Sequence, residues 1–124
     1  MSNNRDYWDY ILELRNHPLL KPGFVSQDPI EPSHHYNYME KYGNCYRICL
    51  LDNKPVGFVG CVGGDIRVAT DPQHHGKGIA KFMIQEIIKE YPHSTAKIKI
   101  NNLASIRAFE KAGFVKRYYL LEPQ

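Results

Sequence analysis

The segment His75-Gly76-Lys77-Gly78-Ile79-Ala80 decides how this chain is read. It follows a β-like stretch, Asp65-Ile66-Arg67-Val68-Ala69-Thr70, that Asp71-Pro72 ends. It opens a run, Ile79 to Tyr91, whose Ala80, Met83, Ile84, Ile87, Ile88 and Tyr91 fall on one side of a helix, with Lys81, Gln85, Glu86, Lys89 and Glu90 opposite. Two glycines just before a helix make a place for an anion. The first turn leaves several backbone N–H groups without partners, the aligned peptide dipoles add about half a positive charge, and glycine lets a ligand reach bare backbone. Lys77 adds a full charge. A Gly-x-Gly pair can equally make only a tight turn; the helix behind it favours phosphate, and the missing Gly-Lys-Ser/Thr ending separates it from a P-loop.

Working outward, Cys45 to Leu51 is β-branched, aromatic or apolar apart from Arg47, and Asp52-Asn53-Lys54-Pro55 turns the chain into a second strand, Val56 to Val62. Gly63-Gly64 makes a second tight turn into Asp65 to Thr70, so three strands form an antiparallel meander. Downstream, Pro92 breaks the helix, and Thr95-Ala96-Lys97-Ile98-Lys99-Ile100 alternates with period two, giving an apolar face and a lysine face. A strand, a helix and a strand make a crossover, which predicts parallel pairing of Asp65 to Thr70 with Thr95 to Ile100. Asn102 caps a further helix, Leu103 to Ala112, that Gly113 ends before a last strand, Phe114 to Leu121.

Toward the amino terminus, Tyr7, Tyr10, Ile11 and Leu14 stand at helical spacing over Asp6 to Asn16, stopped by Pro18 and Pro22. A loop follows to about residue 32. Ser33 is expected to cap a second helix through Tyr42, with Tyr36 and Met39 facing inward and Gly43 at its end.

The chain has 124 residues, 43% hydrophobic and 23% charged, with formal net charge +3. That is enough for one domain with a core, residues 1–124, of α+β class. No run of Lys and Arg exceeds the pair Lys116-Arg117, so a nucleic-acid face is not expected. Cys45, Cys49 and Cys61 are odd in number and lie in apolar strands, which argues for reduced core thiols and a cytoplasmic protein. No Cys/His set stands at zinc spacing, and the pairs His34-His35 and His74-His75 diverge on any regular element, so no metal is expected. The amino terminus has no signal-peptide core and no apolar run approaches the roughly 20 residues of a membrane span.

With these elements in place, Thr70-Asp71-Pro72 followed by His75-Gly76-Lys77-Gly78-Ile79-Ala80 resembles the Gln/Arg-x-x-Gly-x-Gly/Ala signature of the GNAT acetyltransferase superfamily, with His75 where Gln or Arg is usual. A second block, Asn102-Leu103-Ala104-Ser105-Ile106-Arg107-Ala108-Phe109-Glu110-Lys111-Ala112-Gly113-Phe114, is similar to the family's helix beside the cofactor's pantetheine and thiol. The resemblance spans roughly residues 45 to 121. It implies a central mixed, mostly antiparallel sheet flanked by helices, with a V-shaped splay between the strand ending at Thr70 and the strand from Thr95. It also implies acetyl-CoA as cofactor, its pyrophosphate on the amides of His75, Gly76, Lys77, Gly78, Ile79 and Ala80. Backbone groups of Val68 and Thr70 would take the pantetheine, with Asn102, Ser105 and Phe109 alongside.

The same resemblance implies transfer of acetyl to a primary amine by direct attack in a ternary complex. Leu14-Arg15-Asn16-His17-Pro18 and Ile30-Glu31-Pro32-Ser33-His34-His35 look like segments of enzymes acetylating nucleotide-linked amino sugars, which points to a small-molecule acceptor. Acetylation of a protein or peptide amine, and a CoA-binding module with weak or no turnover, stay open beside it. An amine attacks only as the free base, and Asp65 and His35 are the candidates to deprotonate it. The family's usual thiolate acid is a Tyr where this chain has Phe109; Tyr118, Tyr119, Ser105 or a water are the substitutes, or the thiolate leaves unprotonated. Cys61 reads as a buried strand residue and not a nucleophile. No strand is evident before the first helix and no hairpin after Leu121, which leaves sheet edges that a second copy would cover in a homodimer.

Overall fold

Each strand in the middle of the chain is closed by the turn its sequence requires. Strand β1 (Tyr46–Leu51) passes to β2 (Lys54–Val62) through Asp52 and Asn53, whose φ angles of 52° and 65° suit a two-residue hairpin of right-handed twist. Gly63 and Gly64, at 59° and 81°, do the same between β2 and β3 (Asp65–Thr70). The computed structural model describes residues 1, 3–20, 24 and 30–124, and within it the sheet order is β1-β2-β3, antiparallel throughout.

Both edges carry extra backbone. Met1 exchanges two hydrogen bonds with Ile48, at 2.9 and 2.8 Å, and the Asn3 amide donates to the Tyr46 carbonyl at 3.2 Å. The first residues therefore lie antiparallel along β1, and the edge expected to be bare on that side is occupied. On the other edge Thr95 forms a parallel bridge with Asp65: the Ile66 amide donates to the Thr95 carbonyl and the Thr95 amide to the Gly64 carbonyl, both at 2.8 Å. The parallel strand expected over 95–100 reduces to that one bridge. Its alternation persists, with Ala96 and Ile98 packed on the core and Lys97 outside.

Helices cover both faces. Helix α1 (Trp8–Arg15), entered through a 3-10 turn at Arg5–Tyr7, and α2 (Pro32–Tyr42) lie on one; α3 (Ile79–Glu90) and α4 (Leu103–Lys111) lie on the other. Period two sorts β2 between them: Phe58 enters the core beneath α1 and α2, whereas Val59 and Cys61 join Met83, Ile84 and Ile87 of α3. Among the described residues no helix is long and apolar enough to cross a membrane.

Three expectations about the helices and the tail are corrected. Ser33 does not cap α2: Glu31 stands at that position without a side-chain bond, and Pro32, with its φ already helical, opens the helix. The inward residues of α2 are His35 and Met39, four apart, while Tyr36 stays at the rim and bonds Asp9 of α1. The strand expected over 114–121 is absent. Gly113, at φ 104°, ends α4 and Phe114 packs edge-on against Phe109 at 5.1 Å, but Tyr118 and Tyr119 beyond it are 93% exposed. With the 96–100 segment offering β3 no ladder, nothing among the described residues templates another strand. Cys45 likewise belongs to a 3-10 turn, Gly43–Cys45, and all three cysteines are free.

Gly60 is fixed by the ring opposite. It pairs directly with Tyr46, which is fully buried, and a Cβ at Gly60 would stand 2.5 Å from the tyrosine ring. Gly60→Ala is expected to cost about 2–3 kcal/mol as the ring is displaced. Gly63→Ala, which meets open space but keeps a positive φ, is expected to cost about 1 kcal/mol. Urea unfolding of the two variants checks the order; equal losses would mean that Tyr46 yields freely.

Candidate functional site

At the carboxyl end of β3 the chain makes the glycine turn that is the candidate anion site. Asp71 starts it: its carboxylate accepts the Gln73 amide at 3.0 Å and so caps a 3-10 turn, Pro72–His74. Gly76 and Gly78 both sit in the left-handed region, at φ 83° and 75°, and an added Cβ at either would meet nothing within 4 Å. Gly78 stands at the cap position of α3 with no side chain to turn inward, and the first helical bond runs from the Phe82 amide to its carbonyl at 3.1 Å. The amides of Ile79, Ala80 and Lys81 thus precede the helix's own bonding and face outward. Lys77 lies exposed over the turn, its ammonium 3.1 Å from Nδ1 of His74. His75 does not project to an anion through its ring: Nε2 donates to the Thr70 carbonyl at 3.1 Å, tying the turn back to β3.

Next to this turn, one edge of β3 is open. The Ile66 amide points to Thr95 and the Asp71 amide to Val56 of β2 (2.8 Å), so by strand alternation the backbone groups of Val68 and Thr70 point away from β2. Beyond the Thr95 bridge no described strand pairs with them, and of their polar groups the Thr70 carbonyl is taken by His75. The splay expected between these segments is present. The Thr70 side chain adds to it, since its Oγ1 is buried without a hydrogen-bond partner. An unmet hydroxyl, an unmet strand edge and unmet helix amides, all contiguous, fit a ligand that carries both amides and a pyrophosphate.

The other candidates scatter. Asn102 caps α4 through the Ser105 amide (3.3 Å), with Ser105 half-buried behind it. Phe109 is 4% exposed and belongs to the core under α3. Asp65 is half-exposed at the start of β3, where the splay begins. His35 is 3% exposed, and its Nε2, 2.6 Å from the Trp8 carbonyl, is the donor of that contact, so it clasps α2 to α1. Tyr118 is in the exposed tail, remote from any regular element. The thiol of Cys61 is pushed up by burial, which keeps it unreactive. Asn16, in the amino-terminal motif, has a definite task. Its side-chain amide donates to the Ile30 carbonyl at 3.1 Å and accepts the Ile30 amide at 3.0 Å, so the two motif segments are pinned together.

One cluster escaped the sequence reading. Arg67 donates through one guanidinium nitrogen to the Tyr38 hydroxyl at 2.8 Å, and Tyr38 lies 2.7 Å from the hydroxyl of Tyr46. Burial first, then the bond to Tyr46, pushes the Tyr38 hydroxyl well above its ordinary range, so it stays a neutral link. Only the alternation that sets Asp65 and Arg67 on the α1/α2 face could have suggested it.

Residues 8–114 match the sequence profile of the acetyltransferase (GNAT) family, and the chain belongs to that family. As a member of that family it is an N-acetyltransferase. The fold is shared with solved structures of low sequence identity. A spermidine N-acetyltransferase from Vibrio cholerae, in complex with CoA and spermine, superimposes with a TM-score of 0.81 at 18% identity, over 99% of this chain and 83% of that one. A putative acetyltransferase from Salmonella typhimurium with its cofactor acetyl-CoA gives 0.78 at 19% identity, over 93% and 78%. A ribosomal-protein-alanine N-acetyltransferase from Brucella melitensis gives 0.77 at 15%, over 91% and 82%. Comparison with curated proteins finds no match by sequence.

Burial lowers the His35 pKa and the nearby Arg15 adds to this, against the Trp8 carbonyl and Asp9 acting upward. A histidine depressed in the fold is neutral there and takes up a proton when the chain unfolds, so its contribution to stability is present above the unfolded value of about 6.5 and is lost as pH falls below it. The thermal midpoint should fall between pH 7 and 5, and His35→Gln should flatten that slope; an unchanged slope would place the titration elsewhere. For the turn, Gly78→Glu should abolish CoA binding by calorimetry while the folded far-UV spectrum persists, because it brings a carboxylate to the bare amides.

Proposed function

We propose that the enzyme acetylates a primary amine of a small molecule by direct attack in a ternary complex, with the cofactor along the open edge of β3. The observation that carries this reading is the open outer edge of β3 at Val68 and Thr70 beside the buried, unpartnered Thr70 hydroxyl, followed after one self-bonded turn by the uncapped first turn of α3. Acetyl-CoA supplies the acetyl group as an activated thioester. Gly76, Gly78, Ile79 and Ala80 would hold its pyrophosphate with Lys77 adding charge, and the Val68 backbone and the Thr70 amide would pair with its amides.

Asp65 is the better base of the two considered. Its carboxylate is half-exposed at the head of the splay, whereas the Nε2 proton of His35 is committed to Trp8. Asp65 would take the ammonium proton as the amine approaches from the α1/α2 face. Phe109 has no proton to give and Tyr118 lies out in solvent, so the departing thiolate is left to water or Ser105. The amino-terminal motif supports an amino sugar as acceptor, since Asn16 and Ile30 bring its halves together. The exposed Val115, Tyr118, Leu120 and Leu121 favour a homodimer that covers them, which sedimentation velocity can test.

The test is CoA release over a panel of small amines, amino sugars and peptides. Asp65→Asn should reduce turnover by about 10²- to 10⁴-fold with CoA affinity kept, if Asp65 is the base. Preference for peptides would sink the small-molecule reading, and CoA binding without acetylation of any amine would leave a binding module.

A further inference from the structure

The guanidinium of Arg67 has a built setting that neither the fold nor acetyl transfer requires. Its side chain leaves β3 toward α1 and α2, two residues beyond the bridge that heads the splay and next to Val68, whose backbone faces the open edge. The Tyr38 hydroxyl of α2 accepts from it at 2.8 Å, and the aromatic ring of Tyr38 lies 6.0 Å from its charge centre. Tyr38 is fixed in turn by Tyr46, which is fully buried, and by the ring of Tyr42 at 5.0 Å. The Asp65 carboxylate stands 3.7 Å from Nε, close enough for attraction but too far for a hydrogen bond. Despite these ties the Arg67 side chain is 36% exposed and that of Asp65 is 42% exposed. A purely structural ion pair would close on itself; here a cation is oriented by a neutral tyrosine and keeps about a third of its side chain open to solvent.

We propose that Arg67 is a specificity-determining residue that binds an oxyanion, carboxylate or phosphate, carried by the acceptor amine. This rests on the small-amine reading above and narrows it to acceptors in which the amine and an acidic group lie a few bonds apart. The spacing follows from the strand: Asp65 and Arg67 are i and i+2 on one face of β3, and their charged ends stand 3.7 Å apart. Asp65 then meets the ammonium end and Arg67 the oxyanion, so that the amine is aimed at the open edge beside Val68. The guanidinium remains protonated at every working pH.

Matched acceptors decide it: an amino acid against its methyl ester, and a phosphorylated amino sugar against the parent sugar, each titrated calorimetrically into the CoA-loaded protein and assayed for acetyl transfer. The oxyanion form of at least one pair should bind about tenfold or more tightly, and which pair shows it separates carboxylate from phosphate. Arg67→Gln should bring that ratio close to one, chiefly through Kd and KM, and Arg67→Lys should restore part of it. Tyr38→Phe, which keeps the charge but removes one tether, should reduce the ratio a few-fold and serves if Arg67→Gln does not fold. Equal binding within both pairs, or a loss on Arg67→Gln that is the same for charged and neutral acceptors, overturns the assignment. Arg67-dependent binding without acetyl transfer keeps it and overturns the transferase reading of the cleft instead.

Discussion

A single parallel bridge, Asp65 to Thr95, is the constraint on which the site depends. Up to that bridge β3 is an interior strand; past it, β3 keeps β2 on one side and loses its neighbour on the other. A backbone N–H or C=O without a partner is expensive when shielded from water, so a strand edge opened inside a fold is either wet or reserved for a ligand. The helix on the far side of the turn continues the same condition, because Gly78 caps α3 without supplying a bond. Unsatisfied donors therefore stand at two places, on the outer edge of β3 at Val68 and Thr70 and in the first turn of α3, with a self-bonded turn over 71–75 between them.

The two faces of the sheet divide the work at that edge. Under α3 and α4 the packing is apolar, with Phe109 and Phe114 in contact, which holds the splayed segment by Ala96 and Ile98 without hydrogen-bonding it. Toward α1 and α2 the contacts are tyrosines, an arginine and a carboxylate. One face thus sets where the strands part, and the other sets what can be presented to the gap. The clasp between His35 and the Trp8 carbonyl, together with the Asn16 grip on Ile30, keeps α2 at the distance from which Tyr38 reaches Arg67.

Local signals in the sequence were sufficient for the meander, for α3 and for the capped α4, because turns at Asp52-Asn53 and Gly63-Gly64 and the Asn102 cap act within a few residues. The glycine turn ahead of α3 was legible for the same reason. Most of what failed depended on a partner remote in sequence. Ser33 has the chemistry of a cap, but Pro32 preceded it; Tyr36 matched the inward spacing as well as His35 did, and only the Trp8 carbonyl chose between them. The alternation in 95–100 is real, yet alternation specifies a face and not a neighbour, so it did not become a strand, and the apolar and aromatic residues over 114–121 found no strand to pair with either. Arg67 and Tyr38 are 29 residues apart and carry no shared motif.

The bond from His75 to the Thr70 carbonyl has a thermodynamic corollary. It fastens the glycine turn to the sheet in the absence of any ligand, so the two left-handed glycines have already surrendered much of the freedom that glycine otherwise keeps. Association with a pyrophosphate should therefore lose little chain entropy at this loop, and selectivity among nucleotide ligands would come from the rest of the molecule that trails along β3. If the cofactor binds there, it would meet a surface already formed, and its affinity would then depend on contacts and not on ordering of the loop.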